Sequence, residues 1–148
     1  MRKKPSNKIP YFSFLPSPKK TPCYLGNPTV ENSHMAWRFS NADISGEMSC
    51  GNLSFIEHQQ LWNRLRAFEK MNVAHFRDDG SMHPKTVPDL ERKHKDRLLT
   101  LKLDDLEELY SFRIDGACRL WCMKFENIFS ILWWDKDHEV AHVAKRHT

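Results

Sequence analysis

The sequence is poor in glycine, with only 5 in 148 residues, and none of them forms a Gly-rich segment. Nucleotide-binding folds use such segments to bring the backbone close to phosphate groups, and the nucleophile elbow of serine hydrolases needs closely spaced glycines as well. The chain also lacks any apolar run approaching the ~20 residues that a transmembrane helix requires. We therefore expect neither a nucleotide-fold enzyme nor an integral membrane protein.

Cysteine is sparse and scattered along the chain. The four cysteines are Cys23, Cys50, Cys118 and Cys122. They form no dense disulfide framework, and the short apolar stretch near the N-terminus is interrupted by prolines, unlike a signal peptide. The spacing of Cys118 and Cys122 fits core packing better than a C-x-x-C zinc turn. His138 and His142 would share one face only if residues 138–147 were helical. We therefore predict a cytoplasmic protein with no cofactor and no metal site.

Positive charge is concentrated at the N-terminus. Residues 1–33 contain six Lys/Arg and one acid, a net charge of +5, whereas the other 115 residues contain 17 Lys/Arg and 18 acids, a net charge of −1. The same 33 residues hold six of the eight prolines. This composition predicts a flexible tail over residues 1–34 and a single domain over residues 35–148. The change of composition at Met35 raises the hypothesis that translation starts there, which a mass measurement of the mature N-terminus would test.

A helical pattern begins at Ser54. Ser54 and Glu57 have the spacing of a capping box. Apolar residues then recur at three- and four-residue intervals: Phe55, Leu61, Trp62, Leu65, Phe68 and Met71. The pattern predicts a first helix here, a loop over residues 77–88, and a second helix over residues 89–101. We interpret the charged stretch "ERKHKDR" of the second helix as a solvated face.

Three alternating segments follow the helices and predict strands. They cover residues 109–114, 118–125 and 128–134, and are joined by turns at Asp115-Gly116 and Glu126-Asn127. Alternation places Arg113 and Arg119 on one face of this sheet, opposite an apolar face. We expect the helices to cover the apolar face and the arginine face to contact solvent or a ligand. The predicted fold class is α+β: two N-terminal helices packed on a small antiparallel β-meander, preceded by a disordered tail.

The meander resembles that of the RelE/ParE toxin superfamily, especially the YoeB-like ribosome-dependent mRNA endonucleases. In those proteins two helices precede an antiparallel meander whose first two strands each carry an arginine and whose last strand ends on a histidine. Here "LYSFRIDGACRLWC" places Arg113 and Arg119 six residues apart across a turn, and "ILWWDKDH" places His138 just beyond the third strand. The resemblance covers roughly residues 54–140, with the detail in residues 109–138. It implies mRNA and the ribosome as partners, and a cognate antitoxin protein.

The resemblance assigns catalysis to His138, Arg119 and Arg113. A histidine titrates near pH ~6.5 and can transfer a proton, and arginine forks match the geometry of phosphate. Four further side chains are expected to contact RNA: Trp121, Trp133, Lys124 and Lys136. The catalytic acid of the family lies on the loop before the meander, where none of the candidates is in clear register. These candidates are Asp104, Asp105, Glu107 and Glu108. The chain also departs from the family by continuing past the histidine to Thr148.

Two functions follow from these observations. The first is a toxin of a toxin–antitoxin pair that cleaves mRNA without a metal; the second is a non-catalytic protein- or nucleic-acid-binding module of the same fold, or a ParE-type inhibitor of a protein target. The arginines could instead pair across the sheet with an acid: Asp115, Glu126 or Asp135. Trp133 and Trp134 should point to opposite faces, with at least one in the core. Convergence of Arg113, Arg119 and His138 on one concave surface, free of salt bridges, would favour the nuclease.

Overall fold

The computed structural model describes residues 33–141, so the predicted tail lies outside the described residues except for Ser33 and His34. His34 forms a β-bridge with Asn72. The carbonyl of His34 also accepts a hydrogen bond from the side-chain amide of Asn127 at 2.9 Å. His34 is therefore attached to the folded domain by two contacts.

Five strands form one sheet in the order β1-β5-β4-β3-β2. The strands are β1 Ala36–Arg38, β2 Met82–Thr86, β3 Glu108–Asp115, β4 Cys118–Phe125 and β5 Ile128–Asp135. Strands β3, β4 and β5 form the antiparallel meander that the alternation predicted, and β2 extends it antiparallel at one edge. At the other edge β1 runs parallel to β5. The prediction of a simple meander was therefore wrong for the whole sheet, which is mixed.

Three helices accompany the sheet in the described part of the chain. They are α1 Phe55–Phe68, α2 Val73–Asp79 and α3 Arg92–Thr100. The capping box of α1 is present as predicted: the Glu57 N–H donates to the Ser54 hydroxyl, and the Ser54 N–H donates to the Glu57 carboxylate. No helix within residues 33–141 is long and apolar enough to cross a bilayer.

The elements are interleaved, which corrects the predicted order. The class is α+β, but β1 precedes the helices and β2 separates α2 from α3, so the helices do not form an N-terminal pair ahead of the sheet. The end of α2 and all of β2 lie in the segment predicted as a loop over residues 77–88.

Both faces of the sheet carry a core. The α1 face packs against α1 and α2 through a cluster that includes Leu61, Leu65, Phe68, Phe76, Phe112, Leu120 and Phe129. The opposite face, here called the α3 face, packs against α3 and the end of the described chain through Leu98, Leu109, Trp121, Leu132, Trp133 and Val140. We predicted an α3 face open to solvent or a ligand. Instead, α3 and the end of the described chain cover much of that face.

A β-bulge in β5 fixes the directions of its two tryptophans. Trp121 pairs with Trp133 and the next residue of β4 pairs with Ile131, so Leu132 is the extra residue. As a result Leu132 and Trp133 both lie on the α3 face, and Trp134 lies on the α1 face. Both tryptophans are buried, and the prediction that they point to opposite faces is confirmed.

Candidate functional site

A cleft on the α3 face brings together the three predicted catalytic residues. Its volume is about 390 Å³, within the usual range for ligand sites. The polar side chains that line it are His83, Lys85, Ser111, Arg113, Arg119 and His138. Arg113 and Arg119 are register partners on β3 and β4, joined by a two-residue turn at Gly116–Ala117. The turn lies one residue later than predicted, and the two arginines still face each other across the hairpin.

The cleft is strongly basic. Five of its polar lining residues are histidine, lysine or arginine, and none is a carboxylate. Burial, followed by the nearby positive charge of Arg113, lowers the pKa of Arg119, and Asp135 offsets this in part. Two like charges held this close repel each other, so a bound anion would relieve the repulsion. The electrostatics favour a phosphate-sized anion between the two guanidinium groups.

Backbone carbonyl groups hold the Arg119 side chain. Arg119 is only 8% exposed, and its Nη1 donates to the carbonyl of Gly116 at 2.8 Å and to that of Cys118 at 3.0 Å. Arg113 is exposed. Within residues 33–141 neither arginine forms an ion pair with a carboxylate. The alternative in which the two arginines are locked in salt bridges across the sheet therefore does not describe this structure.

Asp135 fixes the turn that carries His138. Its carboxylate is buried, with Oδ1 accepting the Glu139 N–H at 2.7 Å. Its Oδ2 accepts the Val140 N–H at 3.0 Å and the indole N–H of Trp121 at 3.1 Å. Asp135 thus ties the chain after β5 to β4, and His138 lies between these anchors with a backbone φ of +58°. Asp135 therefore positions the histidine beside the arginines. Both of its carboxylate oxygens already accept hydrogen bonds from the protein.

The two tryptophans expected to contact RNA are buried. Trp121 and Trp133 are each 1% exposed, and the indole N–H of Trp133 donates to Asp43 at 3.2 Å. A ring packed on both sides offers no surface on which a base can stack. Trp121 forms part of the cleft wall, and Trp133 belongs to the core beneath α3. The stacking prediction was therefore wrong for both residues.

The two lysines expected to contact RNA lie outside the cleft. The ammonium group of Lys124 is 5.7 Å from the centre of the Tyr110 ring, which belongs to the α1 face. Lys136 is exposed, with its Nζ 3.0 Å from a carboxylate oxygen of Glu57. Neither lysine can contribute to an anion bound between Arg113 and Arg119.

We expect Lys136→Ala to leave activity of the cleft unchanged, because its ammonium group pairs with α1 instead of lining the cleft. An exposed ion pair of this kind adds little to the free energy of unfolding, because water and salt screen it. Urea unfolding and RNA cleavage rates would check both statements. A loss of cleavage greater than about threefold would show that Lys136 contributes to RNA binding or cleavage.

None of the candidate catalytic acids lines the cleft. These were Asp104, Asp105, Glu107 and Glu108. Glu108 accepts a hydrogen bond from the Tyr110 hydroxyl at 2.9 Å, and the backbone carbonyl of Glu107 accepts one from Val87. The set of acids that the resemblance offered therefore contributes no carboxylate to the lining of the cleft.

His83 was missed by the sequence analysis. It lies on β2 opposite Ser111, with Lys85 two residues further on the same face. The segment was assigned to a loop because it contains Pro84, but a proline is tolerated on an edge strand, where one N–H has no neighbour. The sequence signal for this strand was the apolar Met82 followed by polar residues, and such a pattern is weak over five residues.

Comparison with known proteins places the chain in no family: no family model, no curated protein and no solved structure matches it. Within the described residues, no group of three or more His, Cys, Asp or Glu side chains is arranged to hold a metal ion. The three described cysteines, Cys50, Cys118 and Cys122, are free thiols, and Cys122 is buried in the α1-face core. The charged or titratable groups that line the cleft are imidazole, guanidinium and ammonium groups.

Proposed function

We propose that this protein is a cytoplasmic, metal-independent RNA endonuclease, the toxin of a toxin–antitoxin pair that cleaves mRNA on the ribosome. The observation that supports this best is the cleft, in which Arg113, Arg119 and His138 share one basic concave surface. Guanidinium groups bind phosphate oxygens in a bidentate manner, and an imidazole can transfer protons near neutral pH. The ribosome and the antitoxin enter through the RelE-like resemblance of residues 109–138.

The burial of Arg119 favours catalysis over simple attraction of nucleic acid. Negative charge grows on the phosphate oxygens during cleavage, and fixed cations in a poorly solvated site stabilise that charge more strongly than cations in water. Arg119 is held rigidly by the carbonyl groups of Gly116 and Cys118. Arg113 is exposed and adjustable, so it is suited to capture the incoming phosphate.

The first test adds the purified protein to a translating cell-free extract and maps new 5′ ends on a reporter mRNA. A second arm uses the same mRNA without ribosomes, in the presence of EDTA. We expect cleavage in the translating extract, and cleavage in the second arm would remove the requirement for the ribosome. Intact message in both arms would reject the nuclease.

We expect Arg113→Glu to reduce cleavage by at least about 10²-fold, because it removes one phosphate contact and places a negative charge in the cleft. Arg64→Glu on α1 is the matched control, since it makes the same charge change at an exposed position on the other side of the sheet. Rates on the reporter mRNA and urea unfolding would be measured for both. Equal losses in the two variants would show a general effect of net charge, and the cleft would lose its support.

An exposed aromatic patch favours a second candidate, a protein-binding module. Phe39 and Trp62 are 48% and 53% exposed, with ring centres 6.0 Å apart. Phe55, which precedes Trp62 by seven residues on the same side of α1, is 76% exposed. Exposed clusters of large apolar side chains mark interaction surfaces. If the message stays intact in every arm above, this patch becomes the first place to mutate, with Trp62→Ala. In a toxin–antitoxin pair the same patch would be available to the antitoxin.

A further inference from the structure

We infer that His83 is the second proton-transfer group of the cleft, and that His83 and His138 together cleave RNA through its 2′-hydroxyl group. The inference rests on the proposed function and adds to it a catalytic residue, a reaction and a substrate class.

The strand order places the two histidines on either side of the arginine pair. His83 lies on β2 and His138 follows β5, while Arg113 and Arg119 lie on the two strands between them. The register places His83 opposite Ser111. Arg113 is two residues after Ser111 on β3, so His83 and Arg113 lie on the same face of the sheet. Both histidines line the same cleft, so an RNA phosphate bound by the arginines would have an imidazole on each side.

The composition of the cleft assigns the acid role to an imidazole. No carboxylate lines it, and both oxygens of Asp135 already accept hydrogen bonds from the chain beneath. The hydroxyl group of Ser111 is far too weak an acid and base at neutral pH. The ammonium group of Lys85 can stabilise negative charge, but it has no lone pair with which to accept a proton. The two imidazoles are therefore the groups in the cleft that can both take up and release a proton near pH 7.

The reaction is an internal transfer at phosphorus. One imidazole, in its neutral form, accepts the proton of the 2′-hydroxyl group while the bond from O2′ to phosphorus forms. The bond from phosphorus to O5′ breaks, and the second imidazole, in its protonated form, gives its proton to O5′. Arg113 and Arg119 bind the non-bridging oxygens throughout. The products are a 2′,3′-cyclic phosphate and a free 5′-hydroxyl group, with no net uptake of water or protons and no change of oxidation state.

This chemistry defines the substrate class. The scissile nucleotide must carry a free 2′-hydroxyl group, so DNA and 2′-O-methyl RNA should bind without being cut. The scissile phosphate must also enter a cleft about 390 Å³ in volume. A nucleotide that is not held in a duplex can do this more easily, which favours single-stranded RNA.

The rate should depend on pH with a bell shape, because one imidazole must be neutral while the other is protonated. The other charged or titratable groups that line the cleft with His83 are all basic: Lys85 from β2, Arg113 from β3, Arg119 from β4 and His138 from the turn after β5. The buried carboxylate of Asp135 lies behind them and acts on Arg119. Removing one histidine should remove one limb of the bell, and a residue with only a structural role would leave both limbs in place.

The experiment measures kcat/KM against pH on the mapped RNA site for the wild type, His83→Ala and the control His75→Gln. His75 is an exposed histidine on α2 whose side chain is 53% accessible and lines no part of the cleft. We expect His83→Ala to lose about 10²–10⁴-fold and one limb of the profile. His75→Gln should match the wild type, and the wild-type product should carry a 2′,3′-cyclic phosphate. His83 is exposed, so circular dichroism should show an unchanged fold.

The remaining outcomes separate this inference from the proposed function. If the wild type cleaves RNA, and His83→Ala keeps a near-normal rate and both limbs of the pH profile, His83 has no role in proton transfer. The proposed nuclease activity would remain. Cleavage that leaves a 3′-hydroxyl group, or that proceeds on 2′-O-methyl RNA, would overturn the reaction. Absence of wild-type cleavage would overturn the nuclease and this inference together.

Discussion

His138→Asn is expected to lower RNA cleavage by about 10²–10⁴-fold, and urea unfolding of the same variant shows whether the fold is kept. The substitution is chosen for the backbone, because His138 has a φ of +58°. Asparagine, like histidine, is enriched in this left-handed conformation, whereas alanine adopts it less readily. His138→Ala would therefore mix the loss of an imidazole with a displaced turn, and His138→Asn removes the imidazole alone.

The chain offers a matched control for this substitution. Lys102 also has a positive φ, +59°, and it is exposed and lines no part of the cleft. Lys102→Asn should therefore keep both activity and stability. Initial rates on the RNA reporter and urea midpoints would be compared across the two variants. A rate for His138→Asn within about threefold of the wild type would remove proton transfer from this residue, even if Arg113 and Arg119 still bind RNA.

The parts of this site that the sequence predicted are those set by local pattern. Alternation marked β3 and β4, and a short turn between them put Arg113 opposite Arg119. The end of β5 then placed His138 near the same face, because three antiparallel strands in succession bring their ends together. Each of these features depends on residues close in the chain, so each could be predicted without knowing the rest of the fold.

The features that were missed depend on contacts between distant segments. Strand β1 has only three residues and is defined by its pairing with β5, and β2 contains a proline that argues against a strand. His83 was lost with β2. The stretch "ERKHKDR" was predicted to be a solvated face, yet His94 within it is 5% exposed and packs beside Trp133. Burial lowers the pKa of His94, as expected for an imidazole enclosed by a core.

The loop between β1 and α1 contains the largest of these missed features, and it leads to the second prediction. Asp43→Ala should lower the free energy of unfolding by about 2–3 kcal/mol, because it leaves the buried indole N–H of Trp133 and the half-buried guanidinium group of Arg97 without their acceptor. The Asp43 carboxylate accepts from Arg97 Nε at 2.8 Å and from Arg97 Nη2 at 2.6 Å. It also accepts from the backbone N–H groups of Ser45 and Gly46. The indole N–H of Trp133 donates to the same group at 3.2 Å.

These contacts join three segments that are far apart in the chain. The Asp43 side chain is 1% exposed, and its backbone N–H donates to the carbonyl of Leu132 on β5. One carboxylate thus connects the loop, β5 and α3. Gly46 lies so close that a Cβ there would be 2.5 Å from the Asp43 carboxylate, so the loop leaves no room for a side chain at that position.

The same network predicts how stability depends on pH. The hydrogen bonds from Arg97 lower the pKa of Asp43 from its ordinary 3.8 to about 2. A carboxyl group whose pKa is lowered by folding contributes stability that is complete above pH ~4 and is lost as the pH falls toward 2. The expected contribution is about 2 kcal/mol. Urea unfolding followed by tryptophan fluorescence at pH 7, 4, 3 and 2 would measure it.

Two controls make this attribution specific. Glu57 also has its pKa lowered to about 2, by hydrogen bonds from the Ser54 N–H and Lys136, so Glu57→Gln must be measured over the same range. Asp105→Ala removes an exposed carboxylate and should change stability by less than about 0.5 kcal/mol. Asp43→Ala should be less stable at pH 7 and should lose less further stability than the wild type between pH 4 and 2. If its acid dependence instead parallels that of the wild type, the acid sensitivity belongs to other carboxylates, and the pair of Asp43 with Arg97 contributes through packing alone.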